Sequence, residues 1–376
     1  MKRCLPAVFL LASAVHGAWV IEDIPTAIQY SNGNPNLITT ETASAYLPIY
    51  NRSGVKTGEH IAIAYRSKYL YVVQRAGTGW AGIRFDDNGR YPSIALDSAG
   101  KPHMSYFRTS NNKLYYARTM PAGAGNCGPN LSWACEEIPS TIYGAPIRLS
   151  AITVRGTKVH ILVETASGNA TYPSMISRLT KTIGAPDWDS VDQVTLSKDL
   201  AGMDIKLEPS GTPQVLLNSE YLDWYRKPGA NWSGIGPLVG RGAFDMTSTE
   251  APRICYRDFV ANRLIFARSN GTDYWTETVL DYDIGAQGSC SLAVPEGSSG
   301  GGLQQVGSTT PRIAYYDDAS DSVKYATQPL LSSQPWTLQT VAAATGTRKV
   351  DLHVDRQGRP SIIYFDSAVL KLRLAK

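Results

Sequence analysis

Short segments in which apolar and polar residues alternate recur along the whole chain. Ser93-Ile94-Ala95-Leu96-Asp97 and Asp351-Leu352-His353-Val354-Asp355 are two of them. A period of two places one face of a strand against a core and the other toward a polar surrounding. A turn follows such a segment, as in Asp97-Ser98-Ala99-Gly100-Lys101-Pro102, Glu208-Pro209-Ser210-Gly211-Thr212-Pro213 and Asp355-Arg356-Gln357-Gly358-Arg359-Pro360. An acid opens the turn and glycine supplies the positive φ that a tight connection needs. A further strand starts at the proline, in the copies His103-Met104-Ser105-Tyr106, Arg253-Ile254-Cys255-Tyr256, Arg312-Ile313-Ala314-Tyr315 and Ser361-Ile362-Ile363-Tyr364. The next carries leucine, then an aromatic slot, as in Leu114-Tyr115-Tyr116-Ala117, Leu264-Ile265-Phe266-Ala267 and Leu222-Asp223-Trp224-Tyr225.

A strand that opens on tryptophan marks the start of each unit and directly follows the leucine-aromatic strand of the one before. Tryptophans stand at positions 19, 80, 133, 188, 232, 275 and 336, and Trp224 fills an aromatic slot instead. Four short strands per unit, repeated at intervals of 43 to 61 residues, predict an all-β fold: a seven-bladed β-propeller of four-stranded antiparallel blades. Six blades also fit, because the first unit has a long insertion and the unit holding Val159-His160-Ile161 lacks the Asp-x-x-Gly turn. One blade cannot bury both faces alone, so the tryptophans are read as packing between blades. The chain starts with a tryptophan strand at Trp19–Ile24 and ends, at Leu370–Leu374, with the leucine-aromatic element that elsewhere directly precedes the tryptophan strand. The N-terminal strand is therefore expected to complete the last blade and close the ring.

From Gly79-Trp80 through Asp97, Gly100, Pro102, His103, Tyr106 and Leu114 to Ala117, one unit resembles the Trp…Asp-x-x-Gly-x-Pro-His-Ile-x-Tyr…Leu-x-Tyr-Ala repeats of secreted propeller proteins. The resemblance spans nearly all of the chain after residue 17. It implies the propeller fold and export but no activity, since that repeat family is mostly of unassigned function. Sialidases, polysaccharide lyases and fucose lectins share the architecture only by analogy. The sialidase Ser-x-Asp-x-Gly-x-x-Trp box has no counterpart here, so no catalytic residue carries over.

Composition narrows the setting. Lys2 and Arg3 precede the apolar run Leu5–Val15, and small residues follow at Ala14, Gly17 and Ala18. Residues 1–17 read as a signal peptide and 18–376 as a single propeller domain. The run is shorter than the roughly 20 residues a membrane helix needs, so no membrane insertion is expected. The expected location is secreted, or periplasmic, and the expected state monomeric. Cleavage removes Cys4 and leaves Cys127, Cys135, Cys255 and Cys290. In an exported chain these suggest two disulfides, Cys127 with Cys135 across a tight loop and Cys255 with Cys290. The formal net charge is only +4, and no Lys/Arg block marks a nucleic-acid stripe. No metal or cofactor motif appears, and Gly297–Gly302 lacks the Lys-Ser/Thr of a phosphate loop. Asn51, Asn130, Asn169, Asn231 and Asn270 open glycosylation sequons.

Candidate chemistry divides between two faces, because a six-residue strand of about 20 Å keeps its ends apart. His103 and His160 share the slot after the first turn with Gln214, Arg253, Arg312 and Ser361, which reads as an exposed edge. His353 lies on an inner strand and could face the channel. At the opposite ends stand Tyr65, Arg66, Tyr106, Arg108, Glu164, Glu220, Arg257, Asp317 and Asp366. Arg and carboxylates that bind hydroxyls, with tyrosine rings, suit an extracellular glycan or surface polymer. The alternatives are a lyase or glycoside hydrolase, with Glu164 and Glu220 or Asp317 and Asp366 as acid and base, and a protein-interaction scaffold.

Overall fold

The structure, a computed structural model, describes residues 18–25, 41–76, 79–139, 146–167, 171, 174–197, 200–219, 221–246, 251–269, 274–295, 310–329, 334–347 and 349–376. The signal segment, Glu220 and the Gly297–Gly302 run lie outside them, as do Asn169 and Asn270. The strands form seven four-stranded antiparallel sheets. After β1 (Ile21–Asp23), the first blade is β2 (Thr42–Tyr50), β3 (Lys56–Arg66), β4 (Leu70–Ala76) and β5 (Gly79–Asp86). The second is β6 (Gly89–Leu96), β7 (Pro102–Arg108), β8 (Lys113–Thr119) and β9 (Trp133–Glu137). The third is β10 (Pro146–Arg155), β11 (Lys158–Ala166), β12 (Ser174–Thr182) and β13 (Ser190–Ser197); the fourth is β14 (Gly202–Leu207), β15 (Pro213–Asn218), β16 (Tyr221–Arg226) and β17 (Ser233–Val239). The fifth is β18 (Arg241–Met246), β19 (Pro252–Asp258), β20 (Arg263–Ser269) and β21 (Trp275–Asp281); the sixth is β22 (Cys290–Ala293), β23 (Arg312–Asp317), β24 (Ser322–Thr327) and β25 (Thr337–Ala343). The seventh is β26 (Val350–Val354), β27 (Pro360–Asp366) and β28 (Lys371–Ala375), with β1 as its outer strand.

Seven blades are present, and the third keeps its place by a tight hairpin at Gly156 (φ 57°) in place of the Asp-x-x-Gly turn. In the other form of turn, the Asp97 carboxylate accepts from the Ala99 and Lys101 amides at 2.9 and 2.8 Å. Gly100 has φ 74°, and a Cβ there would meet the His60 ring of blade 1 at 2.3 Å. The glycine therefore serves both the turn and the fit between blades.

β1 closes the ring as expected. Ile21, Glu22 and Asp23 pair with Ala375, Leu374 and Arg373. Glu22 then reaches into blade 1, accepting from Arg75 at 2.5 Å and from the Trp80 indole at 2.6 Å. Burial opposes its ionisation, but the bonds from Trp80 and Arg75 hold its carboxyl below the ordinary value. Ile24 is buried with Ile61 and Ile63 of blade 1 and Leu372 and Leu374 of blade 7.

The tryptophans pack between blades. Trp19, Trp188, Trp275 and Trp336 meet Tyr325, Tyr116, Trp224 and Phe266, at ring-centroid distances of 5.3, 6.2, 6.3 and 5.1 Å. In each case the outer strand of one blade lays its indole on the aromatic slot of the preceding blade. Edge-on pairs of this kind add about 0.5–1.5 kcal/mol beyond area burial.

Both disulfides are formed. Cys127–Cys135 closes the loop before β9, and Cys255–Cys290 joins β19 of blade 5 to β22 of blade 6.

One expectation is overturned. The slot after the first turn is buried in four of its six copies and half-buried at Arg253 and Arg312, not an exposed edge. His103 and His160 are 2% and 9% exposed, and Gln214 and Ser361 are likewise buried. The slot is polar because its side chain bonds across to the next strand: His103 Nδ1 lies 2.6 Å from the Tyr116 hydroxyl, and Trp224 donates to Gln214 at 2.9 Å. At His103 and Gln214 the polar residue is kept inside by its cross-strand partner, whereas His160 Nδ1 is buried without one among the described residues.

Candidate functional site

The hairpins joining second and third strands all emerge on one face, and the candidate residues mark their ends. The tyrosines there are core. Tyr65 and Tyr106 are no more than 1% exposed, so their rings support the hairpins from below. The acids are buried as well. Asp317 accepts from the Ala319 amide at 3.0 Å and pairs with Lys324 at 2.6 Å. Asp366 accepts from the Ala368 amide at 3.1 Å and pairs with Arg373 at 2.8 Å. Asp258 repeats the pattern in blade 5 with the Val260 amide and Arg263. Burial raises the carboxyls of Asp258 and Asp317, but the bonds from Arg263 and Lys324 outweigh it and leave both below the usual carboxylate range. Each carboxylate bonding the amide two residues on is an Asx-turn that shapes its own hairpin. Glu164, 2% exposed on blade 3, accepts from Ser174 at 2.8 Å.

The arginines are placed differently. Arg66 of blade 1 and Arg108 of blade 2 come together at Gly89. Arg66 Nη1 donates to the Gly89 carbonyl at 2.6 Å, and Arg108 is the cross-strand partner of Gly89. A Cβ at Gly89 would meet Leu70 at 2.6 Å, so only glycine lets the two blades approach here. Arg108 pairs with Asp86 at 2.9 Å and lies 5.2 Å from the Tyr115 ring centre, with its side chain 39% exposed. Arg257 lies apart, across blades 3 and 4, donating to Asn262 at 2.6 Å with the Phe259 ring 5.2 Å away. Of the eight candidates among the described residues, Arg66 and Arg108 come together here, with the buried Tyr106 hydroxyl 3.5 Å from Asp86 beneath them.

Two further residues complete that site and carry no repeat signal. Glu41, 3% exposed, accepts from Arg90 Nε at 2.9 Å and from the Tyr91 amide at 3.0 Å. Tyr91 holds φ at 50°, inside a register shift between Arg90 and Ser93 and directly before Pro92. An aromatic residue ahead of proline avoids that region unless its surroundings enforce it. Burial, with the nearby Arg90 charge, pushes the Arg66 guanidinium below its ordinary value, against the pull of Glu41.

The channel holds a second polar group. Ser44 of β2 donates to Asp351 Oδ2 at 2.9 Å and lies 2.9 Å from His353 Nε2, both on β26. A serine hydroxyl has one proton. With that proton on Asp351, the serine oxygen accepts from an Nε2–H of His353, the reverse of a nucleophile bonded to its base. Burial pushes His353 down to about 4, despite Asp351. Facing this group, Lys206 pairs with Asp245 at 3.1 Å, and burial raises the Asp204 carboxyl. The nearby recess beside Lys349, Asp351 and Tyr364 has room for about one water molecule. Among the described residues, no three His, Cys, Asp or Glu side chains converge as metal ligands, and no helix is long and apolar enough to cross a membrane.

No protein-family model and no curated protein matches the chain. Solved structures do. YCF48 bound to D1 peptide aligns with a TM-score of 0.55 at 10% identity, over 96% of this chain and 95% of the other. BBS1N in complex with ARL6DN aligns with a TM-score of 0.55 at 10% identity, over 96% and 97%. An arginine-to-alanine triple mutant of AofleA from Arthrobotrys oligospora aligns with a TM-score of 0.50 at 7% identity, over 87% and 91%. At such identities the likeness lies in the fold alone: this chain is a seven-bladed β-propeller.

Proposed function

We propose that the protein is an exported binding module that takes an extracellular carbohydrate or surface polymer on its hairpin face. One observation carries the reading. Around Gly89 the carboxylates Glu41 and Asp86 are buried, at 3% and 7% exposure, while the guanidiniums of Arg90 and Arg108 stay open beside Tyr91 and Tyr115. Donors in fixed forks next to half-exposed rings suit a sugar, which offers hydroxyls at its edge and C–H groups on its face. The two disulfides accord with an exported protein. A glycan array of the mature protein, with mass spectrometry of any bound polymer, tests the reading. Binding with unchanged polymer mass supports a binding module, and shortened products would make it a lyase or hydrolase instead.

A protein partner is the second reading. It rests on Val260 and Tyr282, 85% and 70% exposed at the hairpin end of blade 5. The absence of any glycan signal would move the account to this reading.

A further inference from the structure

The notch between blades 1 and 2 has a charge arrangement that a neutral sugar does not require. Three guanidiniums, Arg66, Arg90 and Arg108, stand over two carboxylates, Glu41 and Asp86. The surplus is one positive charge, and the layering directs it outward, because the acids are beneath and the arginines above. Glu41 is committed to Arg90 and to the Tyr91 amide. Asp86 is committed to the Asn88 amide at 2.7 Å and to Arg108. Both act on Arg66 only through space, and the Arg66 side chain donates its hydrogen bond to the backbone carbonyl of Gly89. The Nε atoms of Arg66 and Arg108 are buried and meet no acceptor among the described residues, so each guanidinium has an unsatisfied inner edge beneath its outer one. Holding like charges this close costs stability unless something opposes them. The Tyr91 backbone is itself held in an unfavourable region by Glu41, and strain of this kind concentrates where a ligand is bound.

We propose that this notch is an anion subsite, and that the polymer bound on the hairpin face carries carboxylate or sulfate groups. The inference rests on the carbohydrate reading above and adds the ligand's charge to it. The anion sits over Gly89, taking bonds from the outer guanidinium nitrogens of Arg66 and Arg108, and the Tyr91 ring lies under the sugar that bears it. A planar fork matches a carboxylate or a sulfate better than a lysine would.

The test is titration of the intact mature protein with four polymers: polygalacturonate, dextran sulfate, neutral dextran and double-stranded DNA. Wild type and the Arg66→Gln/Arg108→Gln variant are compared, with circular dichroism confirming the fold of each. Polygalacturonate or dextran sulfate should bind, the variant should bind at least tenfold more weakly, and affinity should fall as salt rises. The better of the two names the anion. Equal binding of neutral dextran and its charged relatives, unchanged in the variant, would overturn the anion subsite and leave the carbohydrate reading standing. Binding of DNA alone, or of no polymer, would overturn both. A separate Tyr91→Asn variant, which tolerates the left-handed backbone, should keep or raise the melting temperature while weakening binding. A lowered melting temperature with unchanged binding would remove Tyr91 from the site.

Discussion

At the scale of single residues, the histidines set a pH response. His160 is pushed down to about 4 by burial and then by Arg178 and Lys158. His353 is pushed down to about 4 by burial and then by Lys206, against Asp351. Their folded-state values lie below the unfolded value of about 6.5, so the unfolded chain takes up the proton first. Stability is therefore full above about pH 6.5 and declines as pH falls toward 4, by at most about 3 kcal/mol for each histidine. Melting temperatures across that range check this, and His160→Gln should flatten the decline. The burial of His103 and His160 was not legible in the sequence. Variety at an aligned slot looks like exposure until the cross-strand partners Tyr116 and Gln214–Trp224 show why polarity persists inside. The notch was half legible. Arg66 and Arg108 sit in repeat positions, but Glu41 lies ahead of the repeat, and nothing in the string Arg90-Tyr91-Pro92 announces a left-handed tyrosine.

At the scale of elements, the outer strand and its indole do most of the joining. Trp133, 2% exposed against Phe85, should cost about 3–5 kcal/mol on truncation to alanine, read as a shift in the denaturant midpoint. This part of the fold was fully legible, because an indole at a fixed step is a packing demand that recurs with every blade. The hairpins were less so. Asp258, Asp317 and Asp366 look like a functional rim in alignment, yet each bonds the amide two residues on and a neighbouring cation. An Asp at the end of a strand, before a short connection, is a turn signal as much as a chemical one. Asp317→Asn should therefore lower stability by about 1–3 kcal/mol, since it leaves Lys324 with a weakened partner. The blade 5 to blade 6 disulfide belongs to this scale too. Replacing Cys255 and Cys290 by serine should cost about 2–4 kcal/mol, visible in the thermal transition of the non-reduced protein.

At the scale of the whole molecule, the ring is closed by three residues of β1, helped by Glu22 in blade 1 and by Ile24 in the core shared by blades 7 and 1. Deleting residues 19–25 exposes both an edge strand and that core, and should abolish the cooperative transition; an unaltered transition would refute the closure. On the hairpin face the charges are ordered by depth, with Glu41, Asp86, Asp258, Asp317 and Asp366 buried beneath Arg90, Arg108, Arg263, Lys324 and Arg373. The binding account stands on that ordering. Its most direct test is a glycan array probed with the wild-type protein and with Arg66→Ala/Arg108→Ala, both shown to be folded. The account predicts a glycan signal from the wild type that the variant loses while its melting transition is retained. Equal signals from both proteins would contradict it.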